Sequence, residues 1–341
     1  MTHFDCDYMA GAHPEVMKRL METNLELTSG YGADPYTRQT KELIREACGC
    51  PDAEVHLLVG GTQTNATVID GLLAQHEGVL AADTAHINVH ESGAIEASGH
   101  KVLVLPGYDG KVKAEDVARY IENFYADETY EHMVAPGALY ISHPTEYGTL
   151  YTRSELEALS DVCHKANIPL YMDGARLGYG LAAEGTDVTL RDIARLCDVF
   201  YIGGTKVGAL FGEAVVVTNP NLLHHFFPLI KQHGALLAKG RLLGVQFATL
   251  FSDGLYERIS RHAVAMAMKL KAAFVQHGYK LHIDSPTNQQ FFVLPNAELD
   301  RLSAHASFEL WGPRGEKETI VRFVTSWATT EAEVDELIRY L

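Results

Sequence analysis

The chain has 341 residues, with 28 Lys and Arg against 44 Asp and Glu, a formal net charge of −16 at pH 7 with His neutral. That balance, with no basic run, excludes general nucleic-acid binding and a polybasic membrane anchor, both of which need clustered Lys and Arg. Hydrophobic residues make up 47% of the chain, a globular composition, and at roughly 150 residues per domain the length predicts about two domains.

At the N-terminus, His3, Asp5 and Asp7 interrupt the chain before an apolar run can build, and no later stretch approaches the roughly 20 apolar residues that cross a bilayer. A soluble, unexported protein is expected. Five cysteines, Cys6, Cys48, Cys50, Cys163 and Cys197, are an odd number that suits reduced thiols, so the expected compartment is the cytoplasm. Cys48 and Cys50 have no second pair at zinc spacing and read as plain thiols.

Strand candidates follow at residues 54–59, 79–82, 101–105, 138–142, 169–172, 198–202 and 214–218. Amphipathic segments lie among them at 114–125, 154–166 and 190–196, the first two with apolar residues three and four apart. This alternation predicts an α/β domain with a mainly parallel, seven-stranded sheet. After Pro228 the texture changes: 236–251 is an apolar helical stretch and 254–278 a helix rich in Ala, Met and Lys. Strand candidates at 279–283, 290–294, 308–311 and 319–325, then a closing helix at 331–341, predict a smaller α+β domain with an antiparallel sheet. The expected domains are 1–240 and 241–341. His224 and His225, in an apolar context, read as packing, and the acidic stretch 127–131 as a solvated loop.

Ligands of open α/β sheets bind at the carboxyl ends of the strands, so the residues that follow each strand are the ones to inspect. After the first come Gly60, Gly61, Thr62 and Asn65 and then a helical run, an arrangement whose free backbone N–H groups suit a phosphate, although a bare Gly-Gly-Thr also marks a tight turn. After 169–172 comes Asp173-Gly174-Ala175-Arg176, and after 198–202 comes Gly203-Gly204-Thr205-Lys206. Taken singly, Asp173 reads as a helix N-cap and Lys206 as a solvated loop lysine. One strand-helix-strand unit separates them, which brings a carboxylate, an amine and an anion cradle to one edge. Pyridoxal 5′-phosphate requires that set: a lysine for its aldehyde, a carboxylate for its pyridine nitrogen and an anion site for its phosphate.

With these residues the chain resembles the fold-type I pyridoxal-phosphate enzymes, specifically the L-threonine aldolase and β-eliminating lyase group. The resemblance runs from Phe4 to the C-terminal helix. It rests on Tyr171-Met172-Asp173-Gly174-Ala175-Arg176, Gly203-Gly204-Thr205-Lys206-Val207-Gly208, Gly61-Thr62 with Asn65, Tyr31-Gly32-Ala33-Asp34 and Arg322-Phe323-Val324-Thr325-Ser326-Trp327, in family order. It implies an aspartate-aminotransferase-like large domain, Lys206 as the Schiff-base lysine and Asp173 as partner of the pyridine nitrogen. Gly61, Thr62 and Thr205 are implied at the phosphate, with Lys239, favoured over Arg241, completing that site. Arg176 and Arg322 are implied at the substrate carboxylate, which an Arg fork matches, and an isolated Arg can equally form a structural ion pair.

His86 corresponds to the family histidine that stacks on the cofactor ring and is a candidate base, with His90 and Glu91 behind it. Residues 1–20 are expected to reach the substrate site, where Cys6 stands in place of a family serine. Glu146 stands where some members have a histidine, so that either a second base is absent or Glu146 or His143 substitutes for it. The implied function is a pyridoxal-phosphate-dependent aldolase that splits β-hydroxy-α-amino acids such as L-threonine or L-allo-threonine into glycine and an aldehyde. Alternatives are a β-eliminating lyase, a phenylserine-type aldolase, and a non-catalytic scaffold. A homo-oligomer, dimer or tetramer, is implied as well, with a small amino acid as the other partner.

Overall fold

The computed structural model describes all 341 residues. In chain order its strands are β1 (Thr2–His3), β2 (Glu54–Leu58), β3 (Glu77–Ala82), β4 (Lys101–Leu105), β5 (Ala135–Ser142), β6 (Leu170–Asp173), β7 (Val199–Gly203), β8 (Glu213–Val217), β9 (Lys280–Ile283), β10 (Gln289–Pro295), β11 (Ala306–Ser307), β12 (Glu309–Leu310) and β13 (Glu318–Val324). Seven of them form one sheet in the order β2-β8-β7-β6-β5-β3-β4. All of its pairings are parallel except those of β8, which is antiparallel to both β2 and β7.

Every residue of β6, β7 and β8 is buried, as expected of strands covered by helices on both faces. The connecting helices are set by local chemistry. Arg153–Ala166 begins at a capping box between Thr152 and Glu155 and ends at left-handed Asn167. Pro35–Cys48 begins where buried Asp34 accepts from the Thr37 N–H at 2.8 Å and stops at left-handed Gly49.

A second sheet, β12-β13-β10-β9, is wholly antiparallel. Its core joins Phe274 and Phe292, stacked with centroids 4.1 Å apart, to Phe323 and Phe4. Two features revise the expected division at residue 240. The helix Arg241–Leu250 buries Phe247 and Leu250 in the core of the large sheet, and the next helix, Leu255–Gln276, divides its burial between the two cores. Ile259, Ala263 and Val264 belong to the first core and Leu270 and Phe274 to the second, so the cores part within that helix. The N-terminus also belongs to the small domain: β1 pairs in parallel with β11, and the Val324 N–H donates to the Phe4 carbonyl at 2.8 Å. From there the chain runs to Asp7 and Tyr8 in the cleft between the sheets. His224 and His225, expected to pack, are exposed instead, His225 in left-handed backbone just before the helix Phe226–Gln232.

Candidate active site

At the carboxyl edge of the large sheet the loops after β2, β3, β5, β6 and β7 converge on a cavity of about 330 Å³. Asp173, the last residue of β6, is at its floor. Its carboxylate accepts four hydrogen bonds: Oδ1 from Tyr201 Oη (2.5 Å) and the Ala175 N–H (2.9 Å), Oδ2 from Tyr140 Oη (2.7 Å) and Asn65 Nδ2 (2.9 Å). Burial alone pushes its pKa up, but the His86 ring and the donors Tyr201, Asn65 and Tyr140 outweigh it and hold Asp173 below the usual carboxylate range. Asp173 is therefore an anion fixed in place, rather than the helix N-cap that one reading of the sequence allowed. Gly174 must follow it, because a Cβ there would lie 1.9 Å from the Tyr201 carbonyl oxygen.

Lys206 enters from the loop after β7. The loop is clamped: Gly204 and Thr205 donate their N–H groups to the Gly212 carbonyl at 3.0 Å, and Tyr179 Oη bonds the Lys206 carbonyl at 2.5 Å. Lys206 Nζ lies in the cavity 5.9 Å from the Tyr8 ring, with no hydrogen-bond or ion-pair partner. Burial, then Arg176, lowers its pKa against the opposing pull of Asp7, Asp173 and Glu213. A lowered lysine in a cavity is the nucleophilic form of that side chain.

His86 lines one wall. Its Nδ1 is 2.7 Å from Oε1 of Glu91, whose side chain is fully buried and also accepts from Asn65 Nδ2 at 2.7 Å. With Nδ1 spent on that carboxylate, Nε2 is the nitrogen available to a ligand. Glu146 is close by: Oε1 accepts from the His86 N–H at 3.0 Å and from Ser142 Oγ at 2.6 Å, while Oε2 has no partner. Burial raises the Glu146 pKa despite those donors. His143, the other substitute base, is wholly buried, lines neither this cavity nor the one beside it, and burial pushes its pKa down to about 4.

A second cavity of about 260 Å³ adjoins the first and shares Tyr8, His86, His90, Glu146, Arg176 and Lys206 with it. Both expected arginines reach it, and both carry an ion pair. Asp7 grips Arg176 side-on, Oδ2 to Nε at 2.6 Å and Oδ1 to Nη2 at 3.0 Å, which leaves Nη1 free. Asp7 is fully buried and held below the carboxylate range; Arg176 and Lys206 together overcome the opposing effect of burial. Arg322 donates to Gln289 Oε1 at 2.9 Å and pairs with half-exposed Glu309, its guanidinium 4.9 Å from the Trp311 ring.

Opposite these, Gly61 and Thr62 open the helix Gly61–Leu72 and present free N–H groups to the cavity beside Thr205. Lys239 is not there. It is exposed on a segment laid against residues 31–33, where the Tyr31 N–H bonds the Ala238 carbonyl, and it lines neither cavity. Arg241 is no replacement, since its guanidinium caps the Thr23 and Asn24 carbonyls. Cys6 lines neither cavity either; its neighbours Asp7 and Tyr8 carry the N-terminal segment into the site. Sequence reading passed over Asp7, Tyr140, Tyr201, Glu213 and Glu309. Only Tyr201, two residues before the Gly-Gly-Thr-Lys motif, carried a signal: its position near the end of a strand.

The model of the beta-eliminating lyase family matches residues 4–296. A low specificity L-threonine aldolase from a Pseudomonas strain is 29% identical over 339 residues, 98% of this chain and 95% of the relative. Among solved structures, a Leishmania major threonine aldolase is 41% identical and superposes with a TM-score of 0.96, covering 99% of this chain and 98% of the other. An aspartate aminotransferase of Thermus thermophilus, 14% identical with a TM-score of 0.72 over all of this chain and 90% of the other, shares the fold.

Proposed function

The chain belongs to the beta-eliminating lyase family, and from that membership we propose that it is a pyridoxal-phosphate-dependent aldolase cleaving β-hydroxy-α-amino acids, L-threonine or L-allo-threonine, to glycine and an aldehyde. One observation carries the reading most: an unpartnered Lys206 amine and an ionised Asp173 face one cavity, beside a helix N-terminus suited to phosphate. The residues fit the cofactor. Lys206 would hold its aldehyde carbon, Asp173 its pyridine nitrogen, His86 a face of its ring, and Gly61, Thr62 and Thr205 its phosphate. When bound, the cofactor supplies an electron sink for the pair released as the Cα–Cβ bond breaks.

The side chains do the rest. Arg176, locked by Asp7, offers Nη1 to the substrate carboxylate, and Arg322 offers the edge that Glu309 now occupies. Two groups are placed to take the β-hydroxyl proton: His86 Nε2 and Glu146 Oε2. Glu91 fixes the His86 tautomer, and the donors on Glu146 Oε1 leave Oε2 as the basic edge. Asp173 stays ionised throughout, because its four donors are held in place, Tyr140 and Tyr201 on the sheet, Asn65 on the helix Gly61–Leu72 and the Ala175 N–H in the loop after β6. The relatives that are named threonine aldolases support cleavage of the carbon–carbon bond over β-elimination. Incubation with L-threonine tests the choice: glycine with acetaldehyde is expected, whereas a 2-oxo acid with ammonia would show elimination.

Two further parts of the reading concern the whole protein. The only lysine and arginine that line the cavity are Lys206 and the Asp7-bound Arg176, and Met21, Leu25, Leu27 and Tyr31 are exposed along residues 21–31. A homo-oligomer would cover that stretch and supply the missing cation. All five cysteines are free, which supports a reducing, cytoplasmic setting; no helix is long and apolar enough to cross a membrane.

A further inference from the structure

Glu213 is a buried carboxyl in the catalytic cavity to which the chemistry above gives no task. β8 begins with it, and it is registered against Leu58 at the end of β2 on one side and Gly203 at the end of β7 on the other. Its Cα therefore lies between the two loops that form the phosphate cup, residues 59–62 and 204–206. Oε2 accepts from the Gly204 N–H at 3.0 Å, and the Thr205 side chain is the carboxyl's other hydrogen-bonding neighbour. A carboxylate here would oppose the dianionic phosphate that the cup is shaped for. No second lysine of this chain lines the cavity to offset it, and its one arginine, Arg176, is already paired with Asp7 through Nε and Nη2.

We propose that Glu213 is a hydrogen-bond donor in the phosphate cup: its carboxyl keeps its proton, accepts from Gly204 through Oε2, and donates through Oε1 to a phosphate oxygen. Burial favours the neutral form and pushes its pKa up to about 8, against the hydrogen bonds from Thr205 and Gly204 and the charge of Lys206. The other titratable groups facing it are Asp173 and Tyr171 on β6, Tyr201 on β7 and Tyr256 on the helix Leu255–Gln276. Asp173 further favours the proton, and the three tyrosines, raised by burial, stay neutral. Retention of the cofactor then becomes pH-dependent through its phosphate, apart from any effect of pH on Lys206.

The inference rests on the cofactor reading, and comparing pyridoxal phosphate with pyridoxal separates the two. The apo-protein is titrated with each compound between pH 7 and 9.5, and the ratio of the two dissociation constants is followed. Effects on Lys206 cancel in that ratio. In the wild type the advantage of the phosphorylated compound should shrink about tenfold per pH unit above 8. In E213Q, which retains an acceptor for Gly204 and an N–H donor for phosphate but has no proton to lose, the ratio should be flat. A wild-type ratio that is flat, or an E213Q ratio that falls in parallel with it, overturns the role of Glu213 and leaves it as a clamp for the lysine loop. If E213Q fails to fold, the wild-type ratio decides alone. A protein that binds neither compound refutes the cofactor reading itself.

Discussion

At the residue scale, the site is built from groups whose charge is fixed by neighbours, and each has a measurable consequence. Removal of the Lys206 amine in Lys206→Ala should abolish nearly all turnover and the visible absorbance that pyridoxal phosphate gives on binding; retained activity would refute the assignment. Glu309 occupies the edge of Arg322 that we propose for the substrate carboxylate. Glu309→Gln should thus lower KM about two- to fivefold with kcat little changed, in keeping with roughly 0.5–1 kcal/mol for an ion pair with one half-exposed partner, and Arg322→Ala should raise KM. Steady-state kinetics with L-threonine reads both. Lys206 and Asp173 were legible in the sequence because each stands at or just past the end of a strand in a short Gly-containing motif. Asp7, Glu213 and Glu309 were not, since a single acidic residue carries no periodic or spacing signal and acquires its role from a partner 169, 9 or 13 positions away. Lys239 shows the converse: its motif matched, but the segment that carries it packs on residues 31–33 and not on the cup.

At the scale of elements, the strands of the large sheet ended within a residue of expectation for 101–105 and 169–172, whereas 138–142 begins three residues earlier, at Ala135. The antiparallel direction of β8 was not legible, because an apolar run buried on both faces reads alike in either direction. The helix Asn296–Ser303 also went unpredicted, an eight-residue segment between two strands with only Leu299 and Leu302 buried. In the small domain Phe274 stacks on Phe292 and packs against Phe323. Phe274→Ala should cost about 3–5 kcal/mol of stability, read by denaturant unfolding of that domain. The loop after β5 adds a pH term through His143, which is buried and neutral with a pKa near 4 against 6.5 when unfolded. Between those values the unfolded chain binds the extra proton, so stability is full above pH 6.5 and is lost as pH falls toward 4, by up to about 3 kcal/mol. His143→Gln should flatten the acid limb of a plot of melting temperature against pH; an unchanged limb would remove His143 as its source.

At the scale of the whole molecule, the catalytic cleft exists because two sheets share one chain in an interleaved way. The first residues pair with β11 in the small domain and then deliver Asp7 to Arg176 in the large one, while Leu255–Gln276 belongs to both cores. The two-part architecture was legible from the change of texture after residue 228. Its interleaving was not, because a two-residue strand such as β1 has no pattern to read. The exposed apolar stretch at residues 21–31 predicts that light scattering will give a mass of two or four chains, and that Leu27→Glu will shift it toward one. The most direct test of the central claim is a visible absorbance spectrum of the protein with pyridoxal phosphate, recorded before and after adding L-threonine, with glycine assayed in the same tube. The account predicts a band that depends on Lys206, changes on addition, and is accompanied by glycine. No band after incubation with pyridoxal phosphate would contradict the roles given to Lys206 and Asp173, and a band that changes while only a 2-oxo acid is released would contradict the aldolase.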